Sequence, residues 1–311
     1  MRKPHHLLGS LLLTSVLLLA GCGGGSADPG KAQPGQLKVV VAFYPFQYAA
    51  ERVGGASAKV TNLTQPGSEP HDLELTPRQV ASLSDADVVV YQKGFQPAVD
   101  RAIEQARPKR ALDLATVVTL APQAGGDDGH GHDHGHGEAN DPHAWLDPTN
   151  MVKISQAVSR ELSAAKPEQG TTFAQNAQTV ETELTNLDRE FQTGLANCRR
   201  KEFITSHAAF GYLANRYRLT QIGIRDLSPD EEPSPARVAS VQQEARQHGV
   251  TTIFYETLVS PEVAKAVAGD LGLKVDVLDP LEGLTKDSRG TNYIEVMKSN
   301  LNSLKAANEC N

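Results

Sequence analysis

Short apolar strands alternate with amphipathic helical segments twice along this chain, and this repetition restricts the fold more than any other feature. The first strand, Leu37 to Phe43, is too apolar to be exposed on either face, as in a parallel sheet that helices cover on both sides. The alternation runs to residue 114 and resumes between residues 202 and 307. The pattern predicts an α/β protein with two βα-repeat lobes, each built on a mainly parallel sheet.

One long helix is predicted between the two runs. From Glu168 to Ala196 apolar residues recur at steps of three or four, and a helix of that length would extend about 43 Å. Such a helix could cross both lobes and leave a ligand cleft between them. The predicted boundaries are an N-terminal lobe at 37–166, a linking helix at 167–197 and a C-terminal lobe at 198–311.

The N-terminus predicts export and lipid anchoring. Arg2 and Lys3 precede an apolar run, 7–20, which at about 21 Å is too short to cross a bilayer core of about 30 Å. A signal peptide at 1–21 is therefore expected. The run ends Leu-Ala-Gly-Cys22, which looks like a bacterial lipobox, so we expect Cys22 to be lipidated. An ordinary cleavage site beside a chance cysteine is the alternative. Residues 22–36 are rich in Gly, Ser and Pro and suit a flexible tether.

Charge and cysteine content narrow the partners and the compartment. The chain has 30 lysines and arginines against 37 acidic residues, and loss of the two basic signal residues leaves 28 against 37, a net charge of −9. This balance argues against a nucleic-acid partner and is compatible with a cation ligand. With Cys22 lipidated, Cys198 and Cys310 remain, and an exported protein commonly pairs two such cysteines in a disulfide.

Four candidate metal ligands lie at predicted strand ends. His71 follows the second strand, His143 lies in a loop rich in Asp and Pro, His207 ends one strand and Asp279 ends the last. These positions would give two ligands per lobe, and three imidazoles with one carboxylate satisfy four-coordinate zinc. A lone histidine at a strand end is more often a hydrogen-bonded structural residue, so the pattern by itself leaves both readings open.

Five segments change that balance because they occur together and in one order. They are Pro66 to His71, Asp141 to Pro148, Ser206 to Tyr217, Glu231 to Ser234 and Leu278 to Gly283. Over nearly all of residues 37–310 the chain resembles the zinc/manganese solute-binding proteins of ABC transporters (cluster A-I). The one small departure is Arg218, where a glycine is expected.

The resemblance implies a fold, a site and a partner. It implies two α/β lobes spanned by a rigid helix, and a metal site at His71, His143 and His207 with an acidic fourth position at Asp279. Glu69, Glu256 or a water could fill that fourth position instead. A histidine at 207 indicates the zinc branch, because manganese-type relatives are expected to carry a carboxylate there. The implied role is that of a monomeric extracytoplasmic receptor that delivers Zn²⁺ to the membrane permease of an ABC importer.

Residues 125–138 interrupt the first lobe with a glycine-rich segment. It carries four histidines, His130, His132, His134 and His136. Imidazoles at this density are expected to bind extra metal weakly and in several geometries. The alternative is a solvated linker with incidental chelation.

Rival functions come from other classes. A zinc hydrolase also uses three histidines, but the sequence has no His-Glu-x-x-His motif and no glutamate obviously placed as a general base. We therefore expect no enzymatic activity. A receptor for manganese or another divalent metal, an adhesin and a metal chaperone on the same scaffold stay open.

Overall fold

The computed structural model describes residues 32–122 and 140–311. Ala32–Asn311 form one compact unit. The predicted signal peptide, Cys22, the first part of the tether and the four histidines of the glycine-rich segment lie outside the described residues. Within the described ranges, every helix is too short or too polar to cross a bilayer.

Two four-stranded sheets of identical strand order form the two lobes. In sequence order the strands are β1 Leu37–Val41, β2 Ala58–Asn62, β3 Val88–Tyr91, β4 Ala111–Asp113, β5 Glu202–Thr205, β6 Thr220–Gly223, β7 Thr252–Tyr255 and β8 Lys274–Val277. The orders are β2-β1-β3-β4 and β6-β5-β7-β8. Every strand pair is parallel, which confirms the predicted fold class.

Helices follow the strands and cover the sheets. They are α1 Tyr44–Gly54, α2 Pro77–Asp85, α3 Pro97–Ala106, α4 Pro148–Ala165, α5 Gly170–Gly194, α6 Gly211–Tyr217, α7 Pro235–His248, α8 Glu262–Leu271 and α9 Tyr293–Asn308. Proline and capping residues set several starts. Thr76 caps α2 in a capping box with Gln79, and Ser234 accepts a hydrogen bond from the N–H of Arg237 at the start of α7.

The long helix is present but shorter than predicted. Residues 167–169 form a separate 3₁₀ turn, and α5 itself has 25 residues. Its apolar face is buried from Phe173 to Phe191, and it packs against α1 and α4 on the N-terminal side and α9 on the C-terminal side. Through these contacts α5 joins the helices around one sheet to a helix of the other. The boundaries assigned to the lobes stay a prediction.

Two features fasten the C-terminal part to α5. Cys198 and Cys310 form a disulfide across 112 residues of sequence, as predicted. The Arg216 guanidinium donates to the Asp188 carboxylate of α5 at 2.6 and 2.7 Å, and the Tyr217 hydroxyl donates to the same carboxylate at 2.9 Å. The end of α6 is therefore held against the linking helix.

Candidate metal centre

Three histidines and one glutamate converge from loops of both lobes. His71 lies between β2 and α2, His143 precedes the short turn before α4, His207 follows β5, and Glu282 follows β8. One ligand atom from each of these residues lies within 4.8 Å of all the others. The loops at the carboxyl ends of parallel strands thus bring together side chains that are far apart in sequence.

Four of the six separations between these ligand atoms have the size of the edges of a zinc coordination tetrahedron. Glu282 Oε1 lies 3.2 Å from Nε2 of His71, 3.2 Å from Nε2 of His143 and 3.5 Å from Nε2 of His207. The two imidazole Nε2 atoms of His143 and His207 are 3.3 Å apart. Tetrahedral zinc with ligand bonds of ~2.0–2.1 Å has edges of about 3.3–3.4 Å. These four separations therefore fit a bound zinc ion.

Burying these side chains, with an ionised carboxylate among them, costs free energy unless a cation balances the charge. The side chains of His143, His207 and Glu282 are 0% exposed, and that of His71 is 11% exposed. Among the described residues, Glu282 Oε2 has no hydrogen-bond partner. A buried, ionised carboxylate is strongly unfavourable unless it is paired or coordinates a metal. The orphaned oxygen therefore fits a metal ligand.

The electrostatics of the group couple Glu282 to the imidazoles. Burial opposes ionisation of Glu282, but hydrogen bonds from His143, His207 and His71 outweigh it and hold its pKa well below the usual range. Burial likewise disfavours the charged form of His207, yet the carboxylates of Glu256 and Glu282 raise its pKa well above its ordinary value. The pKa shifts of Glu282 and His207 show that this carboxylate favours a positive charge beside it, as a bound cation would supply.

Two further carboxylates orient the rings. Asp141 Oδ1 accepts a hydrogen bond from His143 Nδ1 at 2.7 Å, and Glu256 Oε2 accepts one from His207 Nδ1 at 2.7 Å. Each carboxylate also accepts the backbone N–H of its histidine, at 2.9 and 3.1 Å. A proton fixed on Nδ1 leaves Nε2 of each ring free to bind metal.

Glu69 has a different environment from the other acids. Its Oε1 accepts the backbone N–H of His71 at 3.1 Å. Burial and the nearby charge of Glu282 raise the pKa of Glu69 to about 9. The Glu69 side chain lies outside the group of four ligand atoms.

Asp279 does not join the histidines, contrary to the expectation from sequence. Its Oδ1 accepts the backbone N–H of Leu281 at 2.8 Å, and its Oδ2 accepts the hydroxyls of Ser288 at 2.8 Å and Thr257 at 3.2 Å. These bonds hold the Asp279 carboxylate against its own loop and against Thr257, which follows β7. Glu282, three residues later, takes the fourth place beside the histidines.

Sequence reasoning missed Glu282 although a usable signal was present. The residue lies in the segment Leu278 to Gly283, which carries the family resemblance. An aspartate before a proline commonly turns its carboxylate back onto the backbone two residues later. This turn preference indicates that Asp279 bonds the backbone, so that the next acid of the segment, Glu282, is the better candidate to face the cleft.

Aromatic side chains form an apolar wall beside the imidazoles. The Phe95 ring meets His71 edge-on at 4.7 Å between centroids, and the Trp145 ring lies 5.1 Å from His143. The indole Nε1 of Trp145 donates to the carbonyl of Pro280 at 2.7 Å. The His143 loop is thereby fixed to the Glu282 loop in surroundings that exclude water.

Two α/β lobes of equal strand order, a long joining helix and a buried set of three imidazoles and one carboxylate define the class of two-lobed metal-binding solute receptors. A family model described as zinc-uptake complex component A, periplasmic (ZnuA), matches residues 39–307. This chain belongs to the ZnuA family, which confirms the resemblance seen in the sequence.

Individual relatives agree with this assignment. The zinc-binding lipoprotein AdcA of Streptococcus pneumoniae strain R6 is 36% identical over 98% of this chain and 61% of that protein, so the chain spans only part of this relative. The high-affinity zinc uptake system protein ZnuA of Bacillus subtilis is 34% identical over 95% of each chain. The Zn(II)-bound ZnuA-like domain of Streptococcus pneumoniae AdcA superposes with a TM-score of 0.75 at 34% identity, over 88% of this chain and 100% of that one.

Proposed function

We propose that this chain is an extracytoplasmic receptor that captures one Zn²⁺ with His71, His143, His207 and Glu282 and delivers it to the permease of an ABC importer. The observation that carries the proposal is the convergence of three buried ligands and the largely buried His71, with one ligand atom of each within 4.8 Å of the others. The named zinc-binding and zinc-uptake relatives support it.

The donor set favours zinc over manganese. Three imidazoles and one carboxylate suit a borderline ion, whereas Mn²⁺ prefers more oxygen ligands. A set of four protein ligands also leaves no coordination position for an activated water, which catalytic zinc sites keep open. The arrangement therefore supports a receptor that holds and releases the ion, and not a hydrolase.

The proposed location follows from the N-terminus and the relatives. We expect a lipid anchor at Cys22 to hold the receptor, as a monomer, on the outer face of the cell membrane. One named relative is a lipoprotein, and the family description places its members in the periplasm.

Metal content tests the proposal most directly. We expect tag-free protein with residues 127–137 deleted to bind one tight zinc, and His207→Ala to lose that tight binding in competition with a chelator. The matched control is His248→Ala, because His248 contacts Glu202 at 3.5 Å on the surface with 34% of its side chain exposed. This control should bind like the parent. Undiminished tight binding in His207→Ala would refute the site.

The same deletion tests the histidine-rich segment. We propose that His130, His132, His134 and His136 add weak zinc sites without supplying a primary ligand. Calorimetry should then show a lower total stoichiometry after deletion, with the tightest step unchanged. Loss of the tightest step would mean that this segment provides a ligand of the main site.

Delivery to a permease is tested in cells. A bacterium that lacks its own zinc receptor but carries the cognate permease should grow in zinc-limited medium when this chain is expressed. His207→Ala should fail to restore growth, and His248→Ala should restore it. Equal growth with both variants would mean that zinc import does not depend on the proposed site.

A further inference from the structure

Asp279 is a buried carboxylate at the end of β8, three residues before Glu282, and it is 2% exposed. Its backbone is held by Asn300 of α9, whose amide accepts the Asp279 N–H at 2.9 Å and donates to the Asp279 carbonyl at 2.7 Å. Its side chain accepts hydrogen bonds from Leu281, Ser288 and Thr257. All of these contacts shape the segment that leads to Glu282.

The turn between the two acids has an unusual backbone. Leu281 has a φ of 60°, in the left-handed region that residues with a side chain rarely adopt, and its side chain is 0% exposed. The bond from the Leu281 N–H to Asp279 Oδ1 stabilises this turn at 2.8 Å. Because Glu282 is the next residue, the conformation at Leu281 sets the direction of its carboxylate.

We infer that Asp279 is a positioning residue for zinc capture: it holds the left-handed turn at Leu281 so that Glu282 Oε1 reaches the three imidazoles. This inference rests on the proposed function. Asp279 acts through Glu282 and does not touch the metal. A lost bond at Leu281 would let the backbone relax to a negative φ and turn the Glu282 carboxylate away.

Zinc affinities of full-length, tag-free variants test the inference. Glu282→Ala should weaken binding by more than about 100-fold, since changes behind the ligands alone cost 10–100-fold. Asp279→Ala should weaken binding by about 10–100-fold. Asp279→Asn should bind nearly as the parent does, because its amide oxygen still accepts the Leu281 N–H and its amide can donate to the rotatable hydroxyls of Ser288 and Thr257.

A double-mutant cycle separates action through Glu282 from a general structural effect. In the Glu282→Ala background, Asp279→Ala should change the zinc affinity by no more than a factor of about two. Co²⁺ provides a spectroscopic check, because a four-coordinate tetrahedral site absorbs visible light much more strongly than five- or six-coordinate Co²⁺. We expect the visible band of bound Co²⁺ to change in position or intensity in Asp279→Ala and Glu282→Ala, and to stay as in the parent in Asp279→Asn.

Asp113 provides a matched control in the other lobe. It ends β4 as Asp279 follows β8, and its Oδ1 accepts the N–H groups of Ala115 at 2.9 Å and Lys93 at 3.0 Å. Asp113→Ala should lower the free energy of unfolding and leave the zinc affinity unchanged. If Asp279→Ala does not fold, Ser288→Ala can replace it, because it removes one hydrogen bond to Asp279. Ser288→Ala should cause a smaller loss of zinc affinity, and it should cause no further loss in the Glu282→Ala background.

The outcomes distinguish the two proposals. Unchanged zinc affinity in Glu282→Ala would refute the proposed ligand set itself. A loss in Glu282→Ala without one in Asp279→Ala, or full additivity in the double mutant, would overturn the positioning role and leave the ligand set intact. A loss in Asp279→Asn as large as in Asp279→Ala would also overturn it, because the charge and not the turn would then matter.

Discussion

At the residue scale, three Asp-Pro pairs in the described part of the chain form the same turn, and two of them lie next to candidate ligands. Asp141, Asp147 and Asp279 each accept the backbone N–H two residues later, at 2.9, 2.8 and 2.8 Å. The proline between donor and acceptor has no N–H and a fixed φ, so it favours this turn. Two of these turns lead to candidate ligands: Asp141 bonds His143 directly, and Asp279 shapes the backbone before Glu282.

The carboxylate behind His207 should contribute to zinc affinity without touching the metal. Glu256 Oε2 accepts His207 Nδ1 at 2.7 Å, which fixes the ring and makes Nε2 a stronger donor. We expect Glu256→Ala to weaken zinc binding by about 10–100-fold, with a smaller loss for Glu256→Gln, measured by chelator competition. Glu202→Ala is the control because Glu202 contacts His248 away from the centre. Parent-like affinity in Glu256→Ala would contradict this role.

Zinc affinity should rise with pH through neutrality. Despite burial, hydrogen bonds to Asp141 and Glu282 raise the pKa of His143, and Glu256 and Glu282 raise that of His207 well above its ordinary value of 6.5. Metal-free protein therefore keeps these protons above pH 6.5, and zinc must displace them because it binds neutral imidazole. Burial lowers the pKa of His71, so this ring adds a proton only in more acidic solution.

The measurement is zinc affinity from about pH 6 to about pH 8, with calorimetry in buffers of different ionisation enthalpy. Affinity should still be increasing above pH 6.5, and proton release should accompany binding at pH 7. A flat profile with no proton release would show that the metal-free imidazoles are neutral, contrary to their contacts with Glu282.

At the scale of the elements, the sequence predicts the regular structure closely and the fourth candidate ligand only through a single turn signal. The predicted first strand, 37–43, contains β1 Leu37–Val41, and the predicted helix 168–196 contains α5 Gly170–Gly194, because local apolar periods define those segments. The three histidines come together because strand ends meet at one edge of each sheet. The Asp-Pro pair in the sequence marks Asp279 as a turn residue, but the left-handed Leu281 and the hydrogen bonds from Ser288 and Thr257 that hold this turn are not visible in a local pattern.

The end of α6 carries a backbone conformation better suited to glycine. Arg218 follows the helix with a φ of 57°, whereas α7 and α8 end on Gly249 and Gly272 at 62° and 67°. Arg218→Gly should raise the free energy of unfolding by roughly 1 kcal/mol, since the left-handed region costs a side-chain-bearing residue about that much. Urea unfolding measures the change. Gly249→Ala is the converse variant and should lose a similar amount. A destabilised Arg218→Gly would mean that the Arg218 side chain contributes contacts of its own.

At the scale of the whole molecule, several links join the two lobes around the metal centre. The linking helix packs against helices of both, Trp145 bonds Pro280 across the loops, and Arg216 lies 3.3 Å from Asp147 as well as bonding Asp188. His143, His207 and Glu282, with the carboxylates of Asp141 and Glu256 behind the two rings, therefore lie among these links between the lobes. A zinc ion would strengthen the existing contact between His71 and Glu282 of the second lobe, which is 3.2 Å long.

Zinc should consequently stabilise the folded protein by mass action. An ion that binds only the folded state adds about 2.7 kcal/mol when its free concentration is 100 times the Kd. Glu282→Ala should raise the Kd, so at the same free zinc concentration the variant should lose most of the stabilisation that zinc provides. Its free energy of unfolding without zinc should fall by less than this loss. Thermal unfolding at several buffered zinc concentrations measures both. Protein lacking residues 127–137 should be used, because histidines there can bind zinc when the chain is unfolded and reduce the shift. A stabilisation equal in Glu282→Ala and the parent would mean that zinc acts at a different site.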